Sequence, residues 1–265
     1  IINKKFNFNS LLIDTDANIG LDLYSIQGRP FSDKNESRYI DRISSGFSVA
    51  ASNQYGVTNN GSELIVEPKI QISSFFSPDR TAQVPNRDSS EFILDQNNLF
   101  FNNQYQGRDN VQRNDRLNYG LTSLIMSDKL GTINFFAGQS QKLSGTQKNI
   151  SVANKNRQSH IINSMRWHPN KNFNFSWFSL YNHHDLKSDI SDFSINGLFE
   201  GWSYLANHRS VNKEFVTDNI DREELNLSFS KNLSKLKTSY SRKYDLRNNN
   251  EELISETLGL EYNDT

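Results

Sequence analysis

Hydrophobic and polar residues alternate one by one over most of the chain, which is the period of a β-strand with two unlike faces. Leu225, Leu227 and Phe229, for example, are separated by Asn226 and Ser228. The pattern predicts strands at 4–13, 18–27, 39–51, 62–76, 116–126, 131–139, 159–167, 171–182, 190–199, 202–209, 221–231, 235–244 and 252–262. No stretch of similar length shows the 3.6-residue period of an amphipathic helix. The sequence therefore predicts an all-β chain of about thirteen strands.

The connections between the predicted strands alternate between short and long. Short connections rich in turn-forming residues lie at 14–17, 59–61, 127–129, 168–170, 200–201 and 232–234. Longer polar segments lie at 28–38, 77–115, 140–158, 183–189, 210–220 and 245–251. Outer-membrane barrels have short periplasmic turns and long extracellular loops, and hydrocarbon requires every backbone group to pair within the protein. The rhythm predicts an antiparallel transmembrane β-barrel. Residues 1–265 would be part of one barrel domain, with a long extracellular loop at about 77–115.

Composition narrows the classes of protein further. The chain has 265 residues, 35% of them hydrophobic, a mean hydropathy of -0.71 and no apolar run long enough for a membrane-spanning helix. Its 18 Phe, 10 Tyr and 3 Trp, with a net charge of -1, argue against disorder and against the basic face of a nucleic-acid-binding protein. The absence of Cys excludes thiol catalysis, thiolate zinc sites and a disulfide scaffold.

Four short motifs follow one another in the longest loop and the strand after it. They are Val-Pro-Asn-Arg-Asp-Ser-Ser-Glu-Phe at 84–92, Asn-Leu-Phe at 98–100, Gln-Tyr-Gln-Gly-Arg-Asp at 104–109 and Arg-Leu-Asn-Tyr-Gly-Leu at 116–121. In order and spacing this string resembles the barrel domain of the LptD family (also called OstA or Imp), the outer-membrane lipopolysaccharide assembly proteins. Three positions depart from the family pattern, namely Arg87, Gln104 and Asn110.

The resemblance implies a fragment, truncated at both ends, that supplies about half of a barrel of roughly 26 strands. It implies lipopolysaccharide transport and insertion into the outer leaflet of the outer membrane of a Gram-negative bacterium. The implied partners are lipopolysaccharide, an LptE-like lipoprotein plug, and a periplasmic Lpt bridge reached through an N-terminal domain outside this sequence. The lateral seam that releases acyl chains would also lie outside it. No cofactor, no metal, no nucleic acid and no enzymatic activity are expected.

The family-motif residues are the candidate site, either as loop-shaping residues or as contacts to the plug. Pro fixes φ, Asn and Asp bond their own backbone, and Gly permits positive φ, so the first role suits their chemistry. Loops this long are nevertheless commonly functional. The candidates are Pro85, Asn86, Asp88, Ser89, Asn98, Leu99, Phe100, Gly107, Asp109, Arg116, Asn118, Tyr119 and Gly120.

Other residues allow weaker hypotheses. His183, His184 and Asp185 could suggest a metal site, but adjacent side chains on a strand point in opposite directions. No nucleophile-elbow motif of a Ser hydrolase is present. Pro68 within a strand predicts a bulge or bend. Basic residues that could meet lipopolysaccharide phosphates, or simply face solvent, are Arg108, Arg113, Arg116 and Lys129.

In a barrel the polar faces of the strands would line the lumen, with Gln71, Asn118, Thr122, Asn226 and Ser228 among the lining residues. Aromatic residues near predicted strand ends are typical of an interfacial girdle, and they are Tyr119, Trp167, Trp177, Tyr181, Trp202 and Tyr204. Two alternatives stay open: a general porin or receptor barrel, and a soluble all-β carbohydrate-binding domain. Dependence on detergent would separate the soluble domain from both barrels.

Overall fold

The computed structural model of the chain describes residues 1–26, 38–77, 90–106, 114–145, 157–215, 219–233, 235–247 and 252–262. Its strands are β1 (Ile2–Phe8), β2 (Leu11–Ile26), β3 (Arg38–Asn53), β4 (Tyr55–Asn59), β5 (Ser62–Phe76), β6 (Ser90–Glu91), β7 (Tyr105–Gln106), β8 (Asp115–Ser127), β9 (Gly131–Ser144), β10 (Ile161–Asn170), β11 (Phe173–Tyr181), β12 (Ser188–Phe199), β13 (Trp202–Val211), β14 (Arg222–Leu233), β15 (Leu236–Asp245) and β16 (Glu252–Tyr262). A 3-10 turn occupies Lys213–Phe215. In the part of the chain described, no helix has the length and apolarity to cross a membrane.

The main sheet contains fourteen of these strands, so the all-β antiparallel prediction is confirmed. Thirteen follow one another in the hydrogen-bonded order β1-β2-β3-β5-β8-β9-β10-β11-β12-β13-β14-β15-β16, while β4 pairs beside β5. The short strands β6 and β7 form a separate pair. Among the described strands this order is an open path that begins at β1 and ends at β16.

The predicted turn at 14–17 is wrong. The chain turns instead at Asn9 and Ser10, and Asn9 has a φ of 58°, a left-handed conformation that Asn tolerates well. β2 then runs without interruption from Leu11 to Ile26. Asp14 and Asp16 were interpreted as turn residues, but they belong to the polar face of this strand and pair with Ala50 and Ser48 of β3.

Pro68 lies where β5 changes its partner strand. β3 pairs with β5 from Phe76 to Lys69, and β4 pairs with it from Val66 to Ser62. Pro68, which has no backbone N–H donor, therefore falls between the ends of these two ladders. The bulge or bend predicted for Pro68 stays a prediction, while β4 was missed because it is only five residues long.

The chain divides into two compact units. The first contains residues 1–54, 68–120 and 139–159, and the second contains 55–67, 121–138 and 160–265. In both units the strands have an apolar face and a polar face, and each unit is described separately below.

In the first unit the usual relation between polarity and burial is inverted. On β5, Ile72 is 56% exposed whereas Ser73, the next residue, is 1% exposed. The same holds across β3 and β5: the exposed apolar face carries Ile43, Phe47, Ile70, Ile72 and Phe76, and the buried polar face carries Arg42, Ser48, Ser52, Gln71 and Ser73. Soluble domains bury apolar residues and expose polar ones, whereas a transmembrane barrel wall presents its apolar face to lipid.

In the second unit the register of the strands lines up residues of one kind across several neighbours. One cross-strand row is apolar and consists of Phe135, Met165, Trp177 and Phe193. The row on the opposite face is polar and consists of Asn134, Arg166, Ser176, Ser194, Asn207, Asn226 and Lys243. Phe229 is 46% exposed and Leu225 and Leu227 are partly exposed, so this apolar face is not packed into a closed interior.

Candidate functional site

Residues 92–104 form a compact segment, here called the covering segment, that lies over the polar face of the first unit. Asp95 and Asn98 shape it: the Asp95 carboxylate accepts hydrogen bonds from the backbone N–H groups of Asn97 and Asn98. The Asn98 side chain accepts from the N–H of Asp95 and donates to the carbonyl of Ile93. Leu99 is fully buried, which gives this short segment an apolar anchor.

Amide side chains of the wall hold the covering segment in place. Gln71 on β5 donates to the Phe100 carbonyl at 3.0 Å. On β2, Asp16 accepts a hydrogen bond from the Asn102 amide. The ammonium group of Lys69 lies 4.7 Å from the centre of the Phe100 ring, a cation–π contact. Two strands of the wall, β2 and β5, therefore supply the contacts that fix this segment.

A buried chain of hydrogen bonds connects the covering segment with the strand that carries the last motif. Asn118 on β8 donates to Gln71 Oε1 at 2.8 Å, and the Ser140 hydroxyl on β9 donates to Asn118 Oδ1 at 2.6 Å. Asn118 is fully buried. Because a buried amide without partners is costly, each of these groups fixes the position of the next.

The structure brings part of the candidate set together. Asn98, Leu99 and Phe100 belong to the covering segment, and Asn118 is linked to Phe100 through Gln71. Arg116 is buried on the same face as Asn118 and donates to the Asn114 side chain. Tyr119 lies on the opposite face, where its hydroxyl donates to Gln139, and Gly120 follows in β8. The remaining candidates lie outside the described residues: Pro85, Asn86, Asp88, Ser89, Gly107 and Asp109.

Sequence reasoning missed three contributors, which are Asp16, Asn102 and Ser140. Asp16 was assigned to a turn, and an unbroken alternation across 11–26 would have placed it on the polar face with its neighbours. Asn102 and Ser140 carry no pattern that distinguishes them from other polar residues, so only the three-dimensional structure identifies them.

The second unit has a smaller covered area. It consists of a row of buried apolar residues that pair directly across β10, β11, β12 and β13, namely Ile162, Leu180, Ile190 and Val211. Above them, Asp189 bonds His160 at 2.7 Å and accepts from the Asn212 amide at 3.1 Å. The 3-10 turn that follows Asn212 places Phe215 edge-on to the His160 ring, with centroids 5.3 Å apart.

The histidines do not form a metal site in the described part of the chain, where no group of three or more His, Asp or Glu side chains could hold an ion. His183 and His184 stack with ring centroids 3.9 Å apart in the loop between β11 and β12. Burial lowers the pKa of His183, and the charges of His184 and His160 lower it further.

Elsewhere the polar face of the second unit is open. A cavity of about 720 Å³ lies beside the turn that joins β10 to β11, and its lining combines Asn and Ser side chains such as Asn174 and Ser228 with apolar ones such as Phe173 and Leu205. On the apolar face, Trp202 stacks under the Lys231 ammonium at 4.9 Å, and the Trp167 indole donates to the Leu130 carbonyl. Aromatic residues with one polar contact at strand ends are typical of the water–lipid boundary.

An antiparallel sheet of long strands with an exposed apolar face and a polar opposite face defines the wall of an outer-membrane β-barrel. The family model described as "LptD: LPS transport system D" matches residues 1–234. The chain therefore belongs to the LptD family of outer-membrane β-barrel proteins of lipopolysaccharide transport. The resemblance seen in the four sequence motifs is thus confirmed.

The other comparisons add little. No curated protein matches the chain. Among solved structures, it is similar to a chain of the FpvAI–pyocin S2 complex, with 12% identity and a TM-score of 0.32. That match covers 97% of this chain and 41% of the other, so the chain spans about two fifths of the length of that structure.

Proposed function

We propose that this chain forms part of the wall of a translocon that inserts lipopolysaccharide into the outer leaflet of the outer membrane. The observation that carries the proposal is the inverted polarity of the strands, exemplified by exposed Ile72 beside buried Ser73. Such a wall offers an amphiphilic molecule a polar surface on one side and contact with lipid on the other. A molecule with a large sugar part and acyl chains needs both surfaces at once.

In this proposal the sugar part moves along the polar face, past Gln71, Asn118, Thr122, Asn226 and Ser228. The acyl chains leave sideways into the outer leaflet through a seam between strands of the complete barrel. The sequence contains no phosphate-binding loop, so the energy would come from a periplasmic Lpt bridge and its partners.

An LptE-like lipoprotein plug is the proposed protein partner of the covering segment. Leu94 and Leu99 of the segment are buried, whereas Ile93 is 44% and Phe101 50% exposed. Phe101 is also paired edge-on with Phe92 at 6.3 Å. Apolar side chains exposed on the polar side of a barrel wall favour contact with another protein over contact with water.

Photocrosslinking tests this partner. A photoreactive residue at Ile93 or Phe101 in the full-length protein should capture the lipoprotein in intact cells. The matched control places the same photoreactive residue at Asn226, on the polar face of the second unit, where no exposed apolar side chains surround the probe. Crosslinks of equal yield at all three positions, or at none, would contradict the proposed contact.

Deletion of the covering segment and depletion of the whole protein test the transport function itself. Cells in which the full-length protein is replaced by a version lacking residues 92–104 should show less lipopolysaccharide at the surface, measured by antibody binding to intact cells. The amount of folded barrel, measured by its heat-dependent migration on gels, serves as the control. Normal surface lipopolysaccharide in cells depleted of the whole protein would refute the proposed function.

A further inference from the structure

A partly open cavity between the covering segment and the wall has features of a ligand site. Its volume is about 370 Å³, and its lining includes Asn3, Asp14, Asp16, Lys69, Phe100 and Asn103. All of these residues belong to the first unit. Both walls are fixed, since Gln71 bonds the Phe100 carbonyl and Asp16 bonds Asn102. The cavity is therefore held open by the same contacts that fix the covering segment.

The groups that face this cavity form a mixed set of donors and acceptors. Asp14 and Asp16 provide carboxylate oxygens, of which Asp14 accepts from the Asn3 amide at 3.0 Å. Lys69 provides an ammonium donor, and Phe100 and Phe101 provide aromatic faces. Each hydroxyl group of a sugar both donates and accepts hydrogen bonds. Neighbouring sugar hydroxyls can therefore donate to the carboxylates while they accept from the amide and ammonium groups. The C–H face of a sugar ring can pack on an aromatic ring.

Two other ligand classes fit less well. A divalent cation prefers several carboxylates without a nearby ammonium group, whereas Lys69 shares the cavity with only Asp14 and Asp16. An apolar ligand would remove water from these charged groups without offering them a hydrogen bond in return, which is costly.

We propose that this cavity is a binding subsite for one sugar unit of the oligosaccharide part of the transported lipid. The site would hold the sugar through Asp14, Asp16 and Lys69 while the covering segment supplies an aromatic wall. This inference rests on the proposed transport function, because that function brings such a saccharide to the polar face. It would make the covering segment a part of the substrate path in addition to a contact for the plug.

The test uses the full-length protein purified in detergent with any partner that copurifies. The probe is the oligosaccharide released from purified lipopolysaccharide by mild acid, and binding is measured by calorimetry. Lys69→Met removes the donor and keeps the aliphatic stem, and we expect affinity to fall about tenfold. Asp14→Asn removes the charge and keeps the shape, with an expected fall of about fivefold. Lys171→Met, at the cavity of the second unit, is the matched control and should change affinity less than about twofold.

A second measurement does not depend on the folding of those variants. The described sequence has no Cys, so Asn103→Cys introduces one thiol into this part of the protein. The oligosaccharide should slow its reaction with a maleimide several-fold. Unchanged affinity in both Lys69→Met and Asp14→Asn, equal loss in Lys171→Met, or no protection of the thiol would overturn the subsite. Oligosaccharide binding without any effect of depletion on surface lipopolysaccharide would instead refute the transport function alone.

Discussion

Gln71 and Asn226 are both amides on the polar faces of long strands, yet their surroundings differ. Gln71 is buried and bonded to Asn118 and to the backbone of Phe100. Asn226 is partly exposed and belongs to an open row between Asn207 and Lys243. The difference arises from the covering segment, which lies over the first polar face. The comparison teaches that strand alternation determines which face is polar, whereas a loop determines whether that face meets water or protein.

The largest expected effect comes from removing the apolar anchor of the covered face. Leu99→Ala should destabilise the covering segment by about 3 kcal/mol, because a fully buried Leu side chain is lost. The measurement is hydrogen exchange at the backbone N–H groups of Phe92 and Leu99, which bond Gln104 and Asp95. Their protection should fall about a hundredfold.

Leu121→Ala is the matched control for that change, because Leu121 is 39% exposed on the apolar face. It should leave exchange in the covering segment unchanged. If Leu99→Ala alters exchange no more than Leu121→Ala does, then the segment is not anchored by its buried leucine and the contrast between the two faces fails.

A lysine placed on either the apolar or the polar face of β14 tests whether the two faces of the second unit differ in environment. Leu227→Lys puts an ammonium on the apolar face and should destabilise the folded barrel by about 2 kcal/mol, since lipid-facing cations are costly. Ser228→Lys, one residue later, puts the same group on the polar face opposite Ser241 and should cost little. Folding into lipid vesicles, followed by urea titration, measures both. Equal losses would mean that the two faces do not differ in environment.

The buried network gives a smaller effect that is confined to the covered face. Asn118→Ala leaves Gln71 and Ser140 without their shared partner and should cost about 1.5 kcal/mol. The same substitution at Asn226 removes no buried contact and should cost almost nothing. Urea titration of the two variants compares them directly, and a larger loss at Asn226 would contradict the assignment of the covered face.

The alternation of residue types predicted most of the long strands, because the side-chain period of a strand is a local property of the chain. It failed at 14–17, where Asp14 and Asp16 have the residue type of a turn and the position of a polar face. The motif string identified Asn98 and Phe100 as special but not their contacts. The pairing of Phe100 with Gln71, 29 residues away, depends on how the loop returns to the wall, and no local pattern encodes that return.

The smallest expected effect separates the two regions by their response to pH. The covered area of the second unit lies beside histidines: His160 contacts Asp189 and Phe215, and His183 stacks on His184 in the adjoining loop. Burial, with the charges of His184 and His160, lowers the pKa of His183 below its ordinary value of 6.5. The unfolded loop therefore takes up a proton more readily than the folded loop, and the folded loop loses stability as the pH falls through 6.5. Above that pH the stability is fully present.

An NMR titration of the His183 ring should give a midpoint below 6.5, and His184→Asn should move it part of the way back while the burial contribution stays. A midpoint at or above the ordinary value would show that the loop does not enclose His183.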